Sequence, residues 1–322
     1  MLRCKINLFS LLFLSSLLHA ELCNMENVAQ KHGLSYTYES NHVQLSKRGY
    51  DFSFSVNSKE AKLNGVKVFL TYPIAAKCSK KPLFFKRNLL QKTQIFIDSV
   101  DVQKILLPLL YPKTIHKKTN KIIVIDPGHG GKAEGAICKH LNLKEKTLTL
   151  KTAQKLASKL KSMGYSVFLT RIKDVDLSLE ARSDFANAKG ASVFISLHYN
   201  SAAAKQASGI ETFSFSFANH PSTDHLHPTS QDRTVGAVNK FDTASTYLAW
   251  QIQKQLILKT HSQDRGMRRG RMGVLRNLKC PGVLIECGFI SNPKDANTCN
   301  TPAYQEKLVT AISSGIQNYF SL

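Results

Sequence analysis

The chain has 322 residues, of which 43% are hydrophobic and 20% charged, with 17 Gly and 10 Pro. That balance excludes a disordered, collagen-like or low-complexity chain and supplies a core for one large domain or two modest ones. Lys and Arg number 44 against 22 Asp and Glu, a formal charge of +22, so an anionic partner is expected: nucleic acid, an acidic membrane surface or an acidic polymer.

Arg3 and Lys5 precede an apolar run from Ile6 to Leu18, which is closed by His19 and Ala20. The run is too short to span a bilayer and has the layout of a secretory signal over residues 1–20, with cleavage expected after Ala20. Export implies a periplasmic location and turns the positive charge toward envelope polymers rather than nucleic acid. No later segment approaches the length of a membrane helix, so no transmembrane anchor is expected after cleavage. Cysteines stand at 4, 23, 78, 138, 280, 287 and 299. The six that survive cleavage permit disulfides, but none forms a CxxC pair, and a chain this long folds without a disulfide scaffold.

Residues 21–112 read as a small β-rich domain. YDFSFSVN (50–57), KVFLTYP (67–73) and TQIFIDSV (93–100) are strand-like, and Asn64-Gly65 signals a hairpin between the first two. Between Lys77 and Lys121 there are 11 Lys and Arg against only Asp98 and Asp101, and the polar, basic residues 113–120 read as a linker. Beyond it the period changes. KIIVID (121–126), YSVFLT (165–170), SVFISL (192–197), ETFSFSF (211–217) and GVLIEC (282–287) are short strands, and near-continuous apolar runs among them suggest a sheet covered on both faces. Helical patterns fall at 144–163, 179–189, 244–259 and 302–319, with Ser178 as an N-cap. The expected fold is α/β over 121–322: a mostly parallel twisted sheet with helices on both faces, preceded by the β-rich domain.

In such a sheet, ligands gather beyond the carboxyl ends of the strands. His129 follows the first strand on a Pro-Gly/Gly-Gly turn, His198 ends another strand, Glu286 ends a third, and Glu145 opens the long helix. Two histidines and a carboxylate suit a catalytic zinc ion with a fourth position for water, and a second carboxylate nearby suits proton transfer. Spacing alone does not establish such a site, because most isolated histidines are surface groups or hydrogen-bonded core residues.

The surrounding segments say more. VIDPGHGG, the Glu of LKEKTLTL, SLEARSDFANAKGASVFISLHYN and DRGMRRGRMGVLRNLKCPGVLIECGFISNP occur in order. Together they resemble the zinc-dependent N-acetylmuramoyl-L-alanine amidases, the bacterial cell-wall amidases active in cell separation, over about residues 121–320. The resemblance implies one Zn²⁺ held by His129, Glu145 and His198, with Glu286 as the catalytic carboxylate. It also implies cleavage of the amide between N-acetylmuramic acid and L-alanine of the stem peptide. Peptidoglycan and its muropeptides are the implied partners, with a division-associated activator protein as a candidate. Two hydrolase-class and binding alternatives stand beside it: a zinc carboxypeptidase or endopeptidase on stem peptides, and a non-catalytic envelope-binding protein.

Other residues need placing. Tyr199 replaces the Ala that many family members carry after the histidine. Glu134, five residues after His129, is a rival ligand, but it sits in loop-like sequence whereas Glu145 starts a helix. Arg265, Arg268 and Arg271 precede the Glu286 strand and are candidate substrate-binding groups, since Arg forks suit stem-peptide carboxylates. His220, His225, His227 and Asp224 fall in an inserted stretch, 218–243, that reads as a solvated, flexible flap without an amphipathic stripe. Cys287 should point away from Glu286 into the core by strand alternation.

Overall fold

The computed structural model describes residues 21–79, 92–115, 118 and 120–321; the expected export signal lies outside them. Strand β1 (Leu22–Asn24) leads into helix α1 (Met25–Lys31), capped by the Asn24 side chain accepting from Asn27 N. Strands β2 (Ser35–Glu39), β3 (His42–Lys47), β4 (Tyr50–Ser55), β5 (Glu60–Leu63) and β6 (Val66–Phe69) follow, each antiparallel to the next. Asn64 and Gly65 turn β5 into β6 with φ of 50° and 82°, the positive values that a two-residue hairpin loop matching strand twist requires. The expected hairpin is present, but its first strand is β5 rather than the 50–57 segment.

Strands β7 (Ala75–Ser79) and β8 (Lys92–Asp98) form a separate three-stranded sheet with β1. The strand expected over 93–100 stops at Asp98, whose side chain accepts from Val100 N and starts α2 (Ser99–Asp101). A π-helical turn at Val102–Leu106 and α3 (Leu107–Leu110) continue it.

The remainder alternates strands and helices: β9 (Ile122–Pro127), β10 (Ile137–Cys138), β11 (Leu143–Lys144), α4 (Glu145–Ser162), β12 (Ser166–Leu169), α5 (Leu179–Ala188), β13 (Val193–Asn200), β14 (Ile210–Phe215), α6 (Asp242–Thr260), β15 (Asp264–Gly270), β16 (Gly282–Phe289), α7 (Pro293–Cys299) and α8 (Pro302–Phe320). The main sheet has 11 strands in the order β12-β9-β13-β16-β14-β15-β6-β5-β4-β3-β2. Its first four are mutually parallel, β14 runs antiparallel to β16, and β15 and β6 follow the direction of β14.

Alternation along the strands divides the core between two faces. Ile123, Ile125, Val193, Ile195, Leu197, Val283 and Ile285 pack with Leu148 and Leu156 of α4, Ile252 of α6 and Leu308 of α8. Their neighbours Val124, Phe194 and Leu284 face the other way and pack with Ala186 of α5 and with Val274, Leu275 and Leu278. Helices therefore cover both faces, as the apolar strands demand.

The β-rich segment is continuous with this sheet. β6 pairs with β15 at Val68↔Met267, and Lys67 N donates to Asp264 Oδ2 at 2.8 Å. Arg269, with no solvent exposure, reaches Thr71 Oγ1 at 3.2 Å, while Asp101 accepts from the amides of Thr71 and Tyr72. Within the expected linker, Lys118 donates to Ala191 O and Asn120 to Gly190 O, both just ahead of β13.

Candidate active site

The turn after β9 is the most constrained backbone near the strand ends. His129 lies at φ 60°, an uncommon conformation for a residue with a side chain. Two buried arginines hold it there. Arg171 donates to Pro127 O and Gly128 O at 2.9 Å each, and Arg182 donates to Pro127 O and His129 O at 2.9 Å each. Thr149, one turn into α4 from Glu145, donates to Gly128 O at 2.8 Å. Asp126 anchors the set: its Oδ1 accepts from Arg182 at 2.7 Å and from Thr170, and its Oδ2 accepts from Ser196 at 2.8 Å.

Against this frame, His129, Glu145 and His198 converge. Glu145 Oε1 lies 3.2 Å from His129 Nε2 and 2.9 Å from His198 Nδ1, and it accepts from Tyr199 N at 3.0 Å. Its Oε2 accepts from Ala136 N at 2.8 Å. The imidazoles stand edge to face with centroids 5.0 Å apart, and one ligand atom from each of the three residues lies within 4.8 Å of the others. Burial raises the Glu145 pKa, but the hydrogen bonds with His129 and His198 outweigh it and hold the group at about 2. The carboxylate is ionised across the physiological range. Among the described residues this is the one His/Cys/Asp/Glu group placed to hold a metal ion.

Glu286 sits beside it. In the parallel pair β13–β16, His198 and Glu286 are direct partners, and Glu286 is also the register partner of Glu211 on β14. All three lie on the α5 face, so they form a row across three strands at roughly 4.8 Å per strand. Burial first, then the charges of Glu145 and Glu211, raise the Glu286 pKa well above the ordinary carboxylate range. Its Oε2 is buried without a hydrogen-bond partner. An orphaned acceptor is costly unless something polar completes it. A nitrogen–oxygen–nitrogen donor set beside an unsatisfied carboxylate fits a catalytic metal ion with its water.

A family model described as N-acetylmuramoyl-L-alanine amidase matches residues 123–318. The chain belongs to this amidase family. Its activity is that of the family, hydrolysis of the amide joining N-acetylmuramic acid to L-alanine in peptidoglycan. The chain is 34% identical over 202 residues to the probable cell wall amidase LytH of Staphylococcus epidermidis, covering 62% of this chain and 59% of that one. It therefore spans less than two thirds of that relative. The crystal structure of an N-acetylmuramoyl-L-alanine amidase from Clostridium difficile 630 superposes with a TM-score of 0.53 at 31% identity, covering 63% of this chain and 97% of the other. The CwlD amidase from Clostridioides difficile, solved in complex with the GerS lipoprotein, gives 0.52 at 30% identity, covering 63% and 99%.

The amidase site accounts for several other residues. Glu134 is bonded to the Lys144 ammonium and stays outside the His129–Glu145–His198 group. Cys287 points into the α4/α6/α8 side of the core, opposite Glu286, and is fully buried; it is free, as are Cys23, Cys138, Cys280 and Cys299. Tyr199 is buried and shares a 2.8 Å hydrogen bond with Thr152 of α4, so it faces the core.

The three candidate substrate arginines separate. Arg265 stacks 4.8 Å from the Phe289 ring centroid and lies 3.3 Å from Glu211 Oε2. Arg268 pairs with Glu211 at 3.7 Å and with Asp224, over the Phe69 ring of β6. Arg271 is instead committed to the insertion: its guanidinium donates to Asp232 Oδ1 and to the carbonyls of Phe217, His220, Asp232 and Thr234. The expected flap is thus pinned from inside, and also from the β-rich segment, where Lys59 donates to Ser222 O and His225 O. His220 meets Tyr72 Oη at 3.3 Å rather than the other insertion histidines. The structural roles of Asp126, Arg171, Arg182 and Glu211 were not read from the sequence. The available signal was a charged residue at the end of an apolar strand, as with Asp126 in KIIVID.

Gly128 tests how tightly this site is built. A Cβ there would lie 2.4 Å from His198 Cε1 and Nε2. Gly128→Ala should therefore displace the imidazole and weaken metal binding by ~10–100-fold, the range for a disturbed ligand support. Chelator competition on the purified variant checks this, alongside a melting temperature close to that of the unaltered protein.

Proposed function

We propose that the chain is a zinc amidase of the cell envelope in which His129, Glu145 and His198 hold the ion and Glu286 moves the proton. The observation that carries this reading is the convergence of three ligand atoms within 4.8 Å beside the partnerless Glu286 Oε2. Zinc bound there supplies a Lewis acid and lowers the pKa of a bound water to roughly 7.

The chain's own residues do the rest. Glu145, ionised and anchored by the amides of Ala136 and Tyr199, fixes both imidazoles from one oxygen. Glu286 accepts the proton of the attacking water and returns it to the amide nitrogen as the muramyl–alanine bond breaks, so alanine leaves as a neutral amine. Glu211 lies one strand away, held by Asn200 Nδ2 at 2.7 Å and by Arg265. Arg265 and Arg268 stand at the substrate side of this row, where their guanidinium groups suit carboxylates of the stem. Arg271 is left out of that role because its donors are spent on the insertion.

The reading extends to location and process: export by residues 1–20, action in the periplasm, and a part in cell separation. The complex of the CwlD amidase with the GerS lipoprotein supports a protein partner for this chain as well, and a division-associated activator is the form proposed. No helix among the described residues is long and apolar enough to cross a membrane.

Metal analysis tests the zinc assignment. Purified protein should carry one zinc per chain, lose activity on chelation and regain it when zinc is restored. Full activity in metal-free protein would refute the assignment.

A further inference from the structure

The catalytic row does not stop at Glu211. Glu211 on β14 is the register partner of Gly266 on β15, and the adjoining pair Val68↔Met267 sets β6 alongside. Gly266 is where the β-rich segment leans in. A Cβ there would lie 2.9 Å from Phe69 Cε2 and 3.0 Å from Lys67 Cβ. The bare backbone leaves room for the Phe69 ring to lie against β15 at the position next to Glu211. The φ of 92° at Gly266 is also one that glycine adopts without strain.

The same ring meets Arg268. The guanidinium carbon stands 4.5 Å from the Phe69 ring centroid, inside the ~6 Å range of cation–π attraction. Its edges face carboxylates: Nη1 lies 3.7 Å from Glu211 Oε2, and Nη2 is bonded to Asp224. The β-rich segment brackets Asp224 as well, because Lys59 donates to Ser222 O and His225 O on either side of it. Arg268 remains short of acceptors. Its Nε is buried without a partner, and the 3.7 Å approach of Nη1 to Glu211 is too long for a hydrogen bond. Asp224 is exposed, so its pairing is of the weak, exchangeable kind. β15 lies two strands from β16, roughly 10 Å. A carboxylate on the second or third stem residue is about 7–10 Å from the scissile amide, so from beside Glu286 it has the reach to meet Arg268.

We propose that Phe69 is a positioning residue of the amidase site: its ring holds the Arg268 guanidinium in the plane that receives a stem carboxylate. The inference rests on the amidase reading above and on the role given there to Arg268. It adds that the β-rich segment, which lies outside the family match at 123–318, supplies part of the substrate-recognition surface. An aliphatic side chain of similar size fills the space over Gly266 but offers the cation no negative ring face. The long arginine side chain is then free to sample other rotamers, and ordering it falls to the substrate.

The test uses full-length, zinc-loaded protein and two soluble muropeptides, one with free stem carboxylates and one with those carboxylates amidated. In the unaltered protein KM should be lower for the first. Phe69→Leu should raise KM for the first roughly three- to tenfold, the worth of a partly desolvated cation–π contact, with kcat and zinc content held. The KM advantage of the first substrate over the second should shrink by the same factor, whereas a general loss of packing would move both KM values together. Phe69→Trp keeps a ring under the cation and should preserve the advantage. In an Arg268→Gln background, Phe69→Leu should add no further change, because the ring acts through the guanidinium. Phe69→Ile, β-branched and suited to a strand, serves where the leucine variant does not fold. An unchanged KM advantage in a folded Leu or Ile variant, or a further rise in the Arg268→Gln background, would overturn the proposal. So would equal KM values for the two substrates in the unaltered protein. Failure of the unaltered protein to release any muramyl–alanine cleavage product would instead overturn the amidase reading itself.

Discussion

Glu286→Gln should retain one zinc per chain and lose turnover by ~10²–10⁴-fold, the usual worth of general acid–base catalysis. The ligand atoms of His129, Glu145 and His198 are unchanged by the substitution, and Gln fills nearly the same volume on β16. What disappears is the group that, in the proposed mechanism, carries a proton between water and the departing nitrogen. Amide hydrolysis is sensitive to that loss because the amine leaves poorly without a proton. Elemental analysis and kinetics on one preparation decide the point. A zinc-free Glu286→Gln protein would make Glu286 a ligand and reopen the role of Glu145, whereas near-normal turnover with zinc present would remove Glu286 from the mechanism.

His129→Ala and His198→Ala should behave differently, losing zinc and activity together. Each substitution removes one of three donors, and Glu145 Oε1, which now faces both imidazoles at 3.2 Å and 2.9 Å, keeps only one. Zinc content after dialysis should fall close to zero, with residual activity below that of Glu286→Gln. Full zinc occupancy in either alanine variant would show that the ion sits elsewhere.

The catalytic half of the fold was readable because its pattern is local. KIIVID, SVFISL and GVLIEC are apolar runs buried on both faces, and each brings a polar residue to the site at or next to its end: Asp126, His198 and Glu286. Ser178 was likewise a self-contained signal, and its side chain accepts from Ala181 N at the start of α5. Features that depend on a distant partner were not readable. DRGMRRG (264–270) has no strand-like alternation, yet it forms β15 because β14 pairs along its length and β6 meets it at Met267. Arg269, with no solvent exposure, is buried because Thr71 and Asp101 come from the β-rich segment. The same cause hid the continuity of the sheet. A single register pair and a handful of hydrogen bonds join β6 to β15, and nothing in either segment alone announces the other.

The insertion at 218–243 follows the same logic. Its apolar residues make no stripe, so its sequence reads as a flap. Its order comes from buried polar contacts: Asp232 accepts from Thr229 N and from Arg271, and Thr223 Oγ1 donates to Arg269 O. Of those partners, Arg269 and Arg271 lie 46 and 39 residues away, on β15 and just beyond it. The row Glu211–Glu286–His198 was half visible in the same sense: β13 and β16 carry recognisable residues near their ends, while Glu211 acquires its place only through the antiparallel pairing of β14 with β16.

Product masses from purified muropeptides digested with the zinc-loaded protein test the central claim most directly. The account predicts two products: a disaccharide ending in a free muramic lactyl acid, and an intact stem peptide with a free alanine amine. A stem shortened at its far end, or cut within a cross-bridge while still attached to the sugar, would contradict it and make the protein a peptidase built on the same fold.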